Sequence, residues 1–99
     1  MLFKFLNYKQ IADSNKAKII KSDVKKFKKL CLKEFKKNIN KGIDTTIVDF
    51  FHSQISREFQ DEISEIVLNE LKQEYKNIEF SFSWRHFNNS YKGIKMVAI

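Results

Sequence analysis

Two histidines, His52 and His86, are the side chains best suited to acid–base chemistry near neutral pH. Asp49 precedes His52 by three residues, so the two could form an acid–base pair. Positions three apart point to opposite faces of a strand, however, and these two side chains meet only if the strand ends between them. We therefore predict that His52 is an ordinary histidine near a helix start.

The single cysteine, Cys31, is a candidate nucleophile only if its thiol is exposed. It falls on the apolar stripe of a predicted helix, where burial keeps a thiol protonated and inert. One cysteine also excludes an intramolecular disulfide and a cysteine-based zinc site, and it is typical of a reducing compartment.

Metal and nucleotide sites are not predicted either. A metal ion needs three or four converging ligands, and two histidines with scattered carboxylates do not supply them. Gly42 and Gly93 are the only glycines, whereas phosphate-binding loops need clustered glycines. We therefore predict a protein with no cofactor, no metal and no catalytic residue. A small hydrolase or transferase is the weakest alternative.

Lysine is the charged residue that this sequence has in quantity. The chain has 99 residues and a formal net charge of +7. Residues 1–41 hold 13 lysines and three acids, a net charge of +10, whereas residues 42–99 hold six basic and nine acidic residues, a net charge of −3. This division predicts either a basic contact surface or a dimer that pairs unlike halves.

The lysines between residues 24 and 39 lie opposite an apolar stripe. At about 100° per residue, Val24, Phe27, Cys31, Phe35 and Ile39 share one helix face. Six lysines on the opposite face form what we call the lysine strip: Lys25, Lys26, Lys29, Lys33, Lys36 and Lys37.

The lysine strip is roughly 18 Å long at the rise of an α-helix. We predict that it contacts nucleic-acid phosphate or an acidic partner. No cluster of Asn, Gln or Arg on this helix suits the reading of base edges, so recognition would rest on backbone charge.

Amino-acid composition offers a second interpretation of the strip. Phe, Ile, Lys, Asn and Tyr, whose codons are rich in A and T, make up 50 of the 99 residues, and there are 17 lysines but two arginines. An AT-rich genome supplies lysine wherever a solvated residue will do. The alternative is therefore an ordinary solvated helix face.

Two helices are predicted at the start of the chain. The first covers residues 8–20 after an N-cap at Asn7. The second begins at Ser22 or Asp23 and ends where Gly42 takes a left-handed conformation.

The rest of the chain predicts a strand, a helix and a hairpin. Residues 44–51 are β-branched and aromatic, which is typical of a strand. A helix follows from Ser53 or Ser56 to Tyr75, and strands over residues 78–84 and 94–98 form a hairpin. The predicted fold is a single α+β domain over residues 1–99: two N-terminal helices, then β-α-β-β, with helices packed on one face of a small three-stranded sheet.

Over residues 8–99 the sequence resembles small uncharacterised tailed-phage proteins. The resemblance lies in the order of elements, the segment GIDTTIV, the helix ending in Leu71 and Tyr75, and the strand ending in Trp84. Glu74 precedes Tyr75 where such proteins often have a Gly-Tyr pair. The resemblance implies an accessory protein of a phage or other mobile element, and it assigns no functional residue.

The sequence predicts neither a signal peptide nor a transmembrane segment. We therefore expect a cytoplasmic protein, which means the host-cell interior if the source is viral. The leading hypothesis is a non-enzymatic binding protein with the lysine strip as its contact surface. The alternative is a protein–protein adaptor or host-factor inhibitor that acts through the sheet face or an edge strand, with homo-oligomerisation as one form.

Overall fold

A computed structural model describes residues 7–50, 53, 55, 57–86 and 90–99. The fold is α+β, with two α-helices and a small three-stranded antiparallel sheet. In chain order the elements are α1 (Tyr8–Asn40), β1 (Thr45–Asp49), a 3₁₀ turn (Arg57–Phe59), α2 (Gln60–Glu74), β2 (Ile78–His86) and β3 (Ser90–Ala98).

The two predicted N-terminal helices are a single helix, α1, of 33 residues. Its length is about 48 Å at the α-helical rise. No glycine or proline occurs within it, so nothing breaks its hydrogen-bond ladder. Ser22 is exposed on this helix and Asp23 is buried within it. The predicted break was wrong because a residue that can cap a helix does not by itself start one.

Both predicted ends of α1 are confirmed. Asn7 caps the first turn, where its side-chain oxygen accepts a hydrogen bond of 2.8 Å from the backbone N–H of Lys9. At the other end Gly42 has a φ of 80°, and its N–H donates to the carbonyl oxygen of Ile39 at 3.0 Å. A left-handed glycine therefore ends the helix and turns the chain toward β1.

The strand order in the sheet is β1-β3-β2. Both β1 and β2 pair antiparallel with β3, so they run parallel to each other on either side of it. The predicted hairpin is formed by β2 and β3, although residues 87–89, which hold most of its predicted turn, lie outside the described residues. The predicted strand over residues 44–51 is β1, and Phe51 also lies outside the described residues.

Both helices contribute to the hydrophobic core of the described residues, which also includes one face of the sheet. The register places Val48 opposite Ile94, and it places Met96 opposite Phe80. The buried apolar side chains are Val24, Phe27, Cys31, Phe35, Val48, Phe50, Ile63, Val67, Leu68, Leu71, Phe80, Ile94 and Met96. The other face of the sheet carries exposed residues such as Ile47.

Two apolar helix positions are exposed: Ile39 of the predicted stripe on α1, and Ile66 on α2. Ile39 lies on the last turn of α1, at the rim of the fold, and is not buried with the rest of its stripe. On α2 the buried face is centred on Val67, and Leu68 rather than Ile66 extends it. Helical spacing identified the buried side of each helix but not its two borders.

Gly93 allows β1 and β3 to approach closely at one point. A Cβ atom at this position would lie 2.6 Å from the carbonyl oxygen of Val48 and 2.8 Å from the Cβ atom of Asp49. Any other residue would therefore force the strands apart next to the buried end of β1.

Candidate anion-binding surface

The lysine strip lies on the solvent side of α1. All six of its lysines are exposed. The opposite side of the same helix carries Val24, Phe27, Cys31 and Phe35, which are all buried. The predicted division of this helix into an apolar and a lysine face is thus present in the fold.

The strip lysines have no acidic partner within the described part of the chain. Other lysines do pair with acids: Lys16 lies 3.3 Å from Glu62, and Lys92 lies 3.7 Å from Asp61. The strip therefore presents positive charge that the described ion pairs of the fold do not neutralise.

Lys28 belongs to α1 but not to the strip. Its ammonium group donates a hydrogen bond to Glu74 of α2 and lies 3.4 Å from Glu70, and its side chain is 21% exposed. The hydrogen bond to Glu74 raises the pKa of Lys28, and Glu70 adds to that effect, whereas burial of the amine opposes it. This lysine links the two helices and is not available for an external anion.

The continuous helix extends the strip beyond its predicted length. Lys18 is exposed and lies seven residues before Lys25, about two turns along the same face. From Lys18 to Lys37 the basic face is about 28 Å long at 1.5 Å per residue. Sequence reasoning missed Lys18 because it placed a helix boundary between these residues. The lack of a glycine or proline in this segment is the signal that could have predicted one continuous helix, and with it the place of Lys18 on the strip.

Three strip lysines surround a shallow hollow on α1. Lys26, Lys29 and Lys33 line it together with Leu30, and its volume is about 280 Å³. Leu30 is half-buried and forms the apolar part of the lining. The ammonium groups at the rim are point charges that can contact the oxygens of a phosphate or a carboxylate.

The thiol of Cys31 is fully buried, as predicted. Burial raises its pKa to about 12, so the thiol stays protonated near neutral pH. It therefore has no access to an external reactant and too little thiolate to act as a nucleophile.

The proposed acid–base pair cannot be placed in the structure. Asp49 is buried at the end of β1, while His52 lies outside the described residues. His86 ends β2, and nothing is described of its side chain. Among the described residues, no group of three His, Cys, Asp or Glu side chains could hold a metal ion.

Two larger hollows are also present; the first has no strip lysine in its lining, and the second includes Lys25 at its border. One, of about 430 Å³, is lined by residues that include Phe35, Tyr75 and Ile99. The other, of about 510 Å³, lies between Ile20 of α1 and Ile66 of α2. Both linings are mostly apolar, so neither suits an anion as the strip does.

Neither described helix combines the length and the apolar character that a membrane span requires. Comparison of the chain with protein families, with curated proteins and with solved structures found no match.

Proposed function

We propose that the protein is a non-enzymatic binding protein that holds nucleic-acid phosphates on its lysine strip. The observation that carries this proposal is that the strip lysines are all exposed on one helix face and lack acidic partners in the described part of the chain. Mutual repulsion among them makes the free protein favour an incoming polyanion.

The expected mode of binding is contact with the phosphate backbone. Lysine acts as a point charge, whereas bidentate contacts and the reading of guanine usually come from arginine. The basic face of about 28 Å could neutralise several phosphates and release their counterions. We therefore expect binding with little sequence preference and a strong dependence on salt.

An origin in a phage or other mobile element belongs to the same proposal. Its support is the sequence resemblance over residues 8–99, although the two N-terminal helices of the predicted order are one helix, and the AT-rich codon usage that the composition indicates. As an accessory protein of such an element it would act in the cytoplasm of the host.

Binding is tested by fluorescence anisotropy with labelled 20-base-pair DNA and with a matched RNA. Log affinity should fall by about 0.9 per log unit of salt for each duplex phosphate neutralised. The triple variant Lys29→Glu, Lys33→Glu, Lys36→Glu should lower the affinity by at least tenfold while the far-UV circular dichroism stays unchanged. Lack of binding at 20 mM salt to either nucleic acid would end the proposal.

A matched triple variant controls for net charge. Lys72, Lys76 and Lys95 are exposed outside the strip, and their reversal to Glu changes the charge by the same amount. This control should lose much less affinity than the strip variant. Equal losses would show that overall charge, rather than the strip, attracts the nucleic acid.

A second candidate function is an adaptor or host-factor inhibitor that binds another protein, with homo-oligomerisation as one form. The sheet face that carries Ile47 favours it, because this apolar side chain is 54% exposed there. Light scattering should then detect a complex or an oligomer that the variant Ile47→Lys loses. A monomer that retains full nucleic-acid binding in this variant would favour the first candidate.

A further inference from the structure

The first strand, β1, lies at an edge of the sheet and directs part of its backbone outward. The N–H of Ala98 donates to the carbonyl oxygen of Asp44 at 2.9 Å, and that of Phe50 donates to the carbonyl oxygen of Lys92 at 3.2 Å. In an antiparallel ladder such bonded positions alternate. Residues 44, 46, 48 and 50 therefore bond to β3, while Thr45, Ile47 and Asp49 point their backbone groups away from it.

Ile47 is the centre of this outward-directed edge. Within the described residues, its N–H and C=O have no hydrogen-bond partner. The start of the strand is bonded to α1. The side-chain Nδ2 of Asn38 donates to the hydroxyl of Thr46 at 2.9 Å and lies 3.5 Å from the carbonyl oxygen of Thr45. The helix thus holds the edge in place and leaves the Ile47 backbone accessible.

A groove of about 330 Å³ runs between this edge and α1. The helix lines it with Leu30, Glu34 and Asn38, and the strand lines it with residues 46–48. Leu30 also lines the hollow that Lys26, Lys29 and Lys33 surround. The strand edge and part of the lysine strip therefore share one continuous surface.

We propose that an extended, acidic segment of a partner protein adds to β1 as a fourth strand. Its backbone exchanges hydrogen bonds with Ile47, in the manner of other peptides that extend a sheet. An apolar side chain of the segment covers Leu30, and acidic side chains two residues before and after it face Lys26 and Lys33. This inference gives the adaptor function a specific site and partner, and it does not require nucleic-acid binding.

The spacing of the two surfaces supports this arrangement. Along α1, Lys26 lies about 6 Å before Leu30 and Lys33 about 4.5 Å after it. Alternate residues of a strand are about 6.7 Å apart on one face. In a segment that runs along α1, an acidic–x–apolar–x–acidic pattern therefore spaces its two carboxylates much as Lys26 and Lys33 are spaced on either side of Leu30.

A second copy of this chain fits the edge less well. Pairing of β1 with itself around a two-fold axis would bring the two α1 helices to the same edge, each with its lysine strip. Residues 1–41 carry a net charge of +10, so that arrangement opposes like charges. An acidic segment replaces this repulsion with attraction, because the three lysines of the adjoining hollow outnumber Glu34, the one acid among the described residues that line the groove.

Amide hydrogen exchange measured by NMR tests the proposal on the intact protein. The probe is the end-blocked peptide STETVTETS, which places two Glu and one Val on the same face. At saturating peptide, exchange of the Ile47 amide should slow at least tenfold. The amides of Thr46 and Val48, which already bond to β3, should exchange slowly with or without peptide and serve as internal references.

Two matched peptides separate strand addition from simple charge attraction. The peptide STTEVETTS has the same composition but places its Glu residues on the face opposite Val, and it should bind at least fivefold more weakly. In an added strand, every second N–H of the peptide bonds to β1 and the others point away from it. N-methylation of the first set of amides of STETVTETS should therefore abolish binding, whereas N-methylation of the second set should not. Equal binding of all these peptides would overturn strand addition.

The variant Ile47→Pro removes the outward N–H and leaves the ladder to β3 intact, so it should lose peptide binding. Ile47→Thr keeps that N–H and should retain binding, which controls for any effect of the proline on folding.

No slowing of Ile47 exchange at millimolar STETVTETS would overturn the proposal. If exchange of the Ile47 amide slowed without peptide, and slowed further as the protein concentration rose, a second copy of this chain would be pairing with β1 instead. If the protein bound nucleic acid but the peptide left exchange of the Ile47 amide unchanged, strand addition would be overturned and the proposed function of the lysine strip would stand.

Discussion

On α2 several charges are tied to the rest of the fold, whereas on α1 the charges of the lysine strip are not. Glu62 pairs with Lys16, and Glu70 and Glu74 both pair with Lys28. The strip lysines have no such partners within the described residues. The acids of α2 therefore add ion pairs to the apolar packing between the two helices, whereas the positive charge of the strip has no described partner in the fold.

Three consecutive residues of α1 show the same difference on a smaller scale. Phe27 is fully buried, and its ring centroid lies 4.5 Å from that of Phe50. Lys28 is mostly buried between two glutamates, and Lys29 is exposed without a partner. Substitutions at these three positions should therefore have effects of decreasing size on the free energy of unfolding.

The largest effect is expected for Phe27→Ala. Loss of a fully buried ring should lower the free energy of unfolding by about 3–5 kcal/mol, as measured by urea denaturation. Phe82→Ala is the matched control, because Phe82 is 39% exposed and its removal should cost far less. Similar losses in the two variants would mean that α1 is not packed on the sheet as described.

An intermediate effect is expected for Lys28→Met, which keeps the aliphatic stem but removes the ion pairs. The free energy of unfolding should fall by about 1 kcal/mol near neutral pH. Because folding raises the pKa of Lys28, its stabilisation is complete below the unfolded value of about 10.4 and is lost as the pH rises through the raised pKa.

The difference between the wild type and Lys28→Met should therefore shrink between pH 9 and pH 12, when both are measured by urea denaturation. The thiol of Cys31 also titrates in this range, with a folded pKa of about 12, but it is present in both proteins and cancels from the difference. A difference that stays constant up to pH 12 would argue against the contacts with Glu70 and Glu74.

The smallest effect is expected for Lys29→Met. Surface substitutions without a partner change the free energy of unfolding by less than about 0.5 kcal/mol, and the loss of one like charge offsets part of any cost. A loss as large as that of Lys28→Met would reveal a structural role for the strip. If Lys29→Met stayed as stable as the wild type but bound nucleic acid more weakly, Lys29 would serve binding where its neighbour Lys28 serves stability.

Much of the helix pattern could be predicted because it depends on local spacing. The buried stripe from Val24 to Phe35 follows from the period of 3.6 residues, and the shared face of Thr46, Val48 and Phe50 follows from the period of two. The lysine strip was predicted with the same reasoning, since a residue opposite a core stripe is exposed.

What could not be predicted depends on contacts between distant parts of the chain. The placement of β3 between β1 and β2, the exposure of Ile66 and the burial of Leu68 all depend on how α2 and the sheet meet. The continuity of α1 is different, because it follows from a local property of the sequence, the lack of a glycine or proline, although Ser22 and Asp23 could each cap a separate helix.

By itself, the sequence determined that one helix of this protein would have an apolar face and a lysine face, because the period of an α-helix is a local property of the backbone. The tertiary structure decided which lysines remain available for binding. Lys28 is 42 and 46 residues from Glu70 and Glu74, and only the packing of α1 on α2 brings them together. It also placed β1 at an edge of the described sheet, where the backbone of Ile47 has no partner among the described residues, because strand order is set by contacts that no local pattern encodes.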